Sequence, residues 1–363
     1  MASSVAFTRL PKSNVSRFTL EGLIGAGKSR FLAALRANFK GRSSTLREES
    51  ELTIVDEPVE RWCSTKDEDG KSVLSYFYDD KERYGFLFQI NALMTRYAST
   101  LEANDKIQAN ALPVDRSHVI LSERTIGTDC NVFARMLHAD GTMNSMEYLI
   151  YEQTFDTLTK RRPECNSVNG VIFVHTTPEE SMQRILKRQR EGENIPLEYL
   201  QKCATAHEHW LPRCHVPVLI INGNIDINTS PQLYASLVAR SLAFMDHSGD
   251  IGRLLQVGWK AYITTEWSKA LDLASCEGFA VFASGGLPLH PETAAGSLDA
   301  FSAPRDPIRK YLPPDEEEIR MGLCQLRTRE VIEGVNRAKF RSTIPCGNRR
   351  NSVGLSAEHL AEQ

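Results

Sequence analysis

The stretch Arg17-Phe18-Thr19-Leu20-Glu21-Gly22-Leu23-Ile24-Gly25-Ala26-Gly27-Lys28-Ser29 decides the fold. A short apolar run leads into Gly22-x-x-x-x-Gly27-Lys28-Ser29, and an apolar helical pattern (Phe31, Leu32, Leu35, Phe39) leads out. Strand, glycine-rich turn and helix in that order are the setting in which G-x-x-x-x-G-K-[ST] cradles phosphates. Gly22, Gly25, Ala26 and Gly27 keep bulk away, so backbone N–H groups can close on anionic oxygens. The helix N-terminus adds its positive end. Lys28 would reach the β- and γ-phosphates of a nucleoside triphosphate, and the Ser29 hydroxyl would face Mg²⁺. The stretch does not say whether the last phosphate goes to water, to a protein or to a small molecule.

Working outward, apolar runs recur at Leu52–Val55, Val119–Leu121, Val171–Val174 and Val218–Ile221, with helix-period segments between them. This alternation predicts βαβ units and an α/β fold. The expected architecture is a P-loop fold with a five-stranded parallel sheet and helices on both faces, over residues 17–245. The spacing predicts a long helix starting near Asp80 and running through Leu101, another over Met143–Lys160, and a third opened by Pro178. Residues 1–16 are expected to form a flexible tail. Residues 246–363 read as a C-terminal extension of unknown role, partly disordered, with a helix over Asp315–Lys339 capped by Asp315.

A formal net charge of −3 gives no basic field for nucleic acid. No apolar run reaches membrane-spanning length, so no membrane association is expected. Eight cysteines form no C-x-x-C pair, which points to reduced thiols in an intracellular, most simply cytoplasmic, setting. Arg9, Lys12, four serines and no acid in the first 16 residues give a weak mitochondrial-presequence flavour. Cys203, His207, His209, Cys214 and His215 could suggest zinc, but a helix carrying His207 and His209 explains them without a metal.

Switch and base-reading motifs of a GTPase are absent, and no apolar strand ends in the Asp of an ATPase motor. Instead Glu57 follows Ile54-Val55-Asp56, at the carboxyl end of a strand where ligands gather. It could take a proton from an attacking hydroxyl, or be a surface carboxylate before Pro58. Gln89, Ala92 and Arg96 share one helix face, and Gln89 could bond a nucleobase edge. Glu123 could share Mg²⁺ with Ser29. Arg124 could hold Glu57 and neutralise phosphoryl charge. Arg184, Arg188 and Arg190 could form a lid over phosphates, or a solvated charged face.

Taken together these motifs resemble the deoxyribonucleoside kinase family, specifically its deoxycytidine/deoxyguanosine kinase branch, over about residues 17–240. The carriers are the E-G-x-x-x-x-G-K-S loop from Glu21, Glu57-Pro-Val-Glu-Arg-Trp62, the Phe88-Gln89 helix and Glu123-Arg124 with Asp129. The arginine lid, Ile195-Pro-Leu-Glu-Tyr-Leu200 and His207-Glu-His-Trp-Leu211 follow in the family's order. The resemblance implies transfer of the γ-phosphoryl of ATP or another NTP, with Mg²⁺, to a deoxynucleoside 5′-hydroxyl, in nucleotide salvage. It implies Glu57 as general base with Arg124 and Lys28 beside the reacting phosphate, and Ser29 and Glu123 as metal contacts. Gln89 would meet the base, Trp62 and Phe133 would wall its pocket, and Tyr78 and a lid glutamate would meet the sugar. That glutamate is Glu191 or Glu193, with Glu193 preferred. Asn224 and Asp226 fall where the family cradles the donor base.

Ala92, Arg96 and Asp129 reproduce the branch that prefers deoxycytidine or purine deoxynucleosides over thymidine. Gly127 stands where the family carries a larger residue, which would widen the pocket. A homodimer is the family's common form, with Met143–Lys160 a candidate contributor. Gln89 and Tyr78 speak against a nucleoside monophosphate kinase. The intact set Lys28, Ser29, Glu57, Glu123 and Arg124 speaks against a non-catalytic P-loop nucleotide-binding module.

Overall fold

The computed structural model describes residues 7, 14–39, 50–110, 117–190, 193–247, 250–256 and 258–284. At its centre lies β1 (Val15–Gly22), whose residues from Phe18 onward are buried. β3 (Ser117–Glu123) and β4 (Gly170–His175) pair with β1 in parallel on either side. β2 (Ser50–Val55) extends the sheet beyond β3, and β5 (Val218–Asn222) extends it beyond β4, again in parallel. Strands buried on both faces read as continuous apolar runs, which is why β4 and β5 were visible in the sequence.

The sheet does not stop at five strands. Its order is β2-β3-β1-β4-β5-β7-β6. β7 (Phe279–Phe282) pairs antiparallel with β5, and β6 (Ile263–Thr264) pairs in parallel with β7. The expected five-stranded parallel sheet is therefore a seven-stranded mixed one, and its packing runs past residue 245. All four residues of β7 are buried, so the strand is core. The Asp315–Lys339 helix lies outside the described residues.

Helices cover both faces. α1 (Lys28–Phe39) leaves the phosphate loop, and the short α2 (Val59–Ser64) and α3 (Val73–Asp79) follow β2. α4 (Lys81–Ala109) starts where Asp80 caps the Arg83 N–H, as the sequence spacing predicts. After β3 come α5 (Ile126–Thr128), a π-helical stretch over Asp129–Ala134, and α6 (Arg135–Ala139). α7 (Ser145–Arg161) opens on a capping box between Asn144 and Glu147. α8 (Pro178–Arg188) has the Thr177 hydroxyl as its cap. α9 (Leu197–Trp210) and α10 (Pro231–Asp246) flank β5 in sequence, and α11 (Ile251–Gln256) and α12 (Trp267–Glu277) precede β7.

Gly127 does not widen a pocket. A Cβ there would lie 2.7 Å from Asn166 Oδ1 and 3.3 Å from the Phe7 ring. Phe7 is buried, with its ring centroid 5.4 Å from that of Trp210. The space left by the missing side chain is filled by Asn166, Thr125 and the Phe7 ring.

Candidate active site

The carboxyl ends of β1, β2 and β3 deliver the phosphate loop, Glu57 and Glu123-Arg124 to one cleft of about 1850 Å³. The phosphate loop packs tightly on α8. A Cβ on Gly25, whose φ is +85°, would stand 2.5 Å from the Ser181 carbonyl oxygen. Lys28 is buried, donates to the Leu23 carbonyl at 2.9 Å and lies 3.8 Å from Glu123. Ser29 Oγ donates to Glu123 Oε1 at 3.2 Å. Burial pushes the Lys28 ammonium down to about 8, with Arg124 adding to the effect. Burial also raises the Glu123 carboxyl, although Lys28 opposes this.

Glu57 sits between two guanidinium groups. Arg124 Nη1 meets its Oε1 at 2.6 Å and Arg96 Nη2 meets the same oxygen at 3.0 Å. Burial alone would raise the Glu57 carboxyl, but Arg124, Arg96 and Lys28 together hold it well below the ordinary range. Arg124 has φ +62°, a left-handed conformation that a residue bearing a Cβ resists by about 1–2 kcal/mol. This turn lets its Nη2 reach the Gly22 carbonyl at 2.9 Å while Nη1 holds Glu57.

Arg96 links more than the expected pair. Its Nε donates to Asp129 Oδ2 at 2.9 Å and its Nη1 to the Glu123 carbonyl at 3.0 Å, besides the bond to Glu57. Arg96 and Asp129 are 2% and 1% exposed, so the pair is out of water. Burial pushes the Asp129 carboxyl up, and Arg96 pulls it back. Asp129 and Phe133 both lie on the π-helical stretch, a geometry frequent at functional sites.

Gln89, Ala92, Trp62 and Phe133 are buried and line the cleft. Gln89 Oε1 has no hydrogen-bond partner among the described residues. Arg96 lies 5.6 Å over the Trp62 ring and Arg124 5.1 Å over Phe133, which fixes both walls. Tyr78 lines the same space, and its hydroxyl is raised by burial and then by the charge of Glu193.

Of the lid arginines, Arg184 bonds Glu180 at 2.9 Å and the Ala26 carbonyl at 3.0 Å. Arg188 meets Glu193 at 2.5 Å and Arg190 meets it at 3.5 Å. Glu191 lies outside the described residues. Asp226 lines the cleft and pairs with Arg30 at 3.4 Å. Asn224 is exposed and is not among the lining residues. Arg30 and Tyr234 line the cleft although no motif singled them out, and Tyr199, within the motif at residues 195–200, joins them although sequence reading assigned it no role. Arg30 Nε and Nη2 are buried without a partner among the described residues.

Glu21 lies beneath the loop, fully buried, accepting from the Thr19 and Thr128 hydroxyls at 2.7 Å each. Burial raises its carboxyl to about 6. The folded chain thus holds this proton more tightly than the unfolded one. Its contribution is fully present below the ordinary carboxyl range and is lost as pH rises to about 6. Glu21→Gln keeps the acceptor for both hydroxyls without the charge. It is expected to raise unfolding free energy by about 1–2 kcal/mol at neutral pH and to flatten this segment of the stability–pH curve. Urea unfolding at several pH values checks both; a destabilised variant at neutral pH would refute the linkage to the Glu21 proton.

Comparisons with known proteins bear on this cleft. The family model described as deoxynucleoside kinase matches residues 18–246. Deoxycytidine kinase of Homo sapiens is 32% identical over 257 residues, covering 64% of this chain and 92% of its own length. Deoxycytidine kinase of Bos taurus is 34% identical over 213 residues, covering 55% of this chain and 76% of its own length. The mitochondrial deoxyguanosine kinase of Xenopus laevis is 28% identical over 256 residues, covering 64% and 90%. The matched span is more than half the chain and holds the phosphate loop and every cleft residue described above, so the chain belongs to the deoxynucleoside kinase family and is a phosphotransferase of that kind.

Proposed function

We propose that this kinase moves the γ-phosphoryl of ATP or another nucleoside triphosphate to the 5′-hydroxyl of a deoxynucleoside, preferring deoxycytidine or a purine deoxynucleoside over thymidine. The observation that carries the reading is Glu57, held at the mouth of the phosphate loop. Both guanidinium groups meet its Oε1, which leaves Oε2 for the substrate hydroxyl. The hydroxyl oxygen bonds to the γ-phosphorus as the bond to the β-γ bridging oxygen breaks, and the proton passes to Glu57. Arg124, Lys28 and the lid arginines spread the charge of the transferring group. Ser29 and Glu123, oxygen donors 3.2 Å apart, suit a hard cation. Mg²⁺ held there would neutralise charge on the β- and γ-phosphates.

Base choice rests on Gln89 and on the Arg96–Asp129 pair. Gln89 offers an acceptor and a donor to a ring edge. The relatives named for deoxycytidine and deoxyguanosine support this side of the family. Steady-state rates with deoxycytidine, deoxyadenosine, deoxyguanosine and thymidine, beside deoxycytidine monophosphate, test it. Faster turnover of thymidine than of the other three would overturn the preference, and turnover of the monophosphate alone would overturn the acceptor.

The Lys28 ammonium, lowered to about 8, adds a pH signature. Triphosphate binding is expected to restore its proton, so at pH 8 binding should take up protons. Donor affinity should fall as pH rises above 8. Calorimetry in buffers of different ionisation enthalpy reads the uptake, and none at pH 8 would contradict it.

A homodimer through α4 and α7 is supported by their exposed apolar side chains. Leu87 and Met94 on α4 are 55% and 43% exposed, and Met146, Leu149 and Ile150 on α7 are 63%, 46% and 43% exposed. The two helices pack together, so these residues can form one patch. Sedimentation equilibrium at the mass of one chain would refute it. No described helix is long and apolar enough to cross a membrane. Cys130, Cys165, Cys203 and Cys214 are buried free thiols, which supports a reducing, intracellular site of action.

A further inference from the structure

The segment after residue 256 lies beyond the span matched by the family model, yet it touches the loop that follows β5. That loop contributes Asn222, Gly223, Ile225, Asp226, Ile227 and Asn228 to the cleft. It lies on the side of the phosphate loop where Asp226 meets Arg30. The Asn222 N–H donates to the Gly278 carbonyl at 2.8 Å, directly beyond the last β5–β7 pair, Ile221 with Phe279. The Asn222 side-chain amide reaches the Ser275 carbonyl at 3.4 Å, while its Oδ1 accepts from the Asn224 N–H at 3.0 Å. One asparagine thus ties the loop to its own strand and to the end of α12.

Apolar packing holds the same unit down. Arg240 of α10 lies 3.8 Å over the Phe279 ring and 5.4 Å over Tyr262. Trp267 of α12 sits between Phe173 of β4 and Phe282 of β7, at 6.2 and 5.2 Å. α12 ends at Gly278 with φ +83°, a left-handed cap that orients its carbonyl toward Asn222. β7 itself is fully buried, so this anchor is part of the core rather than a surface appendage.

We propose that α12 and β7 are a positioning unit for the donor nucleotide: Gly278 and Ser275, acting through Asn222, set the loop that receives the donor's nucleoside end. Neither residue touches the reacting atoms. The inference rests on the reading above that this side of the cleft takes the triphosphate donor. Its effect is confined to that side, because Glu57, Gln89, Arg96 and Asp129 hang from β2, α4 and the π-helical stretch.

Gly278→Ala tests the unit. A Cβ at 278 would meet Leu237 and Ile225 at 3.5 and 3.6 Å, ordinary contacts. The substitution therefore acts through the left-handed backbone alone, and the bond to Asn222 should shift. Donor KM is expected to rise roughly 3- to 10-fold, the size of a coupling carried through packed contacts, while deoxynucleoside KM and kcat stay near wild type. Gly278→Asn should stay close to wild type, because Asn tolerates this conformation. Gly141→Ala imposes the same strain at φ +81° with nothing within 4 Å, so it is the matched control.

An unchanged donor KM in Gly278→Ala overturns the proposal. So does an equal rise in Gly141→Ala, or a parallel rise in deoxynucleoside KM. Should Gly278→Ala fail to fold, Asn222→Ala, which removes the side-chain bonds to Ser275 and Asn224, carries the test through thermal unfolding: the Tm shift with donor must shrink while the shift with deoxynucleoside is kept, and equal changes in both shifts overturn the proposal. Failure of the wild-type chain to turn over deoxynucleoside would instead sink the kinase reading, so the two failures are distinguishable.

Discussion

Glu57→Gln is expected to lower turnover by roughly 10²–10⁴ while deoxynucleoside binding is largely kept, the range for loss of a general base. The side chain keeps its shape and can still accept from Arg124 and Arg96 through one oxygen. What it loses is the charge that those guanidinium groups oppose and a site for the proton. Arg124 and Arg96 hold the carboxyl well below its ordinary range, so at neutral pH wild-type Glu57 is ionised and ready to accept. The low basicity suits a loose phosphoryl-transfer transition state, in which the hydroxyl gives up its proton late. Pre-steady-state rates and equilibrium binding of deoxynucleoside separate the two effects, and undiminished turnover removes Glu57 from the role.

Arg96→Leu should be the most destabilising single change at the site, by about 3–5 kcal/mol, because it strands a buried charge. Arg96 meets two carboxylates and the Glu123 carbonyl. Without it burial and the Glu57 charge push the Asp129 pKa up, and only the more distant Arg124 charge is left to oppose them. The variant's folded state then binds the Asp129 proton more tightly than the unfolded state does. Its stability deficit should therefore grow as pH rises from 5 to 7. Adding Asp129→Asn should recover part of the loss by removing the stranded charge. Chemical denaturation at both pH values checks the order, and a deficit independent of pH would show that Asp129 is not the stranded group.

Sequence alone reached the parts of this molecule whose physics is local. Gly22 to Ser29 is contiguous, and the turn it needs is written in glycines. The cap at Asp80 and the helix start at Pro178 are likewise set by neighbours along the chain. β7 was missed because four apolar residues carry no period, and only pairing with β5 makes them a strand. The bond from Arg96 to Glu57 joins a helix face to a strand end 39 positions away, and no spacing rule predicts it. The left-handed Arg124 is invisible for a similar reason, since nothing local favours φ +62° there and the surrounding bonds impose it. An absent side chain at Gly127 does not say who fills the space, and two of the residues that do, Asn166 and Phe7, lie far away in sequence.

The mixed sheet also bears on how the chain is made. β5 is a wholly apolar run in its first four residues, and before β7 is synthesised one flank of it is unpaired. Such an edge is a template for another chain. Once β7 docks, the outermost strand on that side is β6, only two residues long and half-buried, too short to recruit a neighbour. This flank is thus open to self-association on the ribosome, in the interval between the emergence of β5 and that of β7. A chain released early, after α10, would keep every residue of the phosphate site and still carry an adhesive edge.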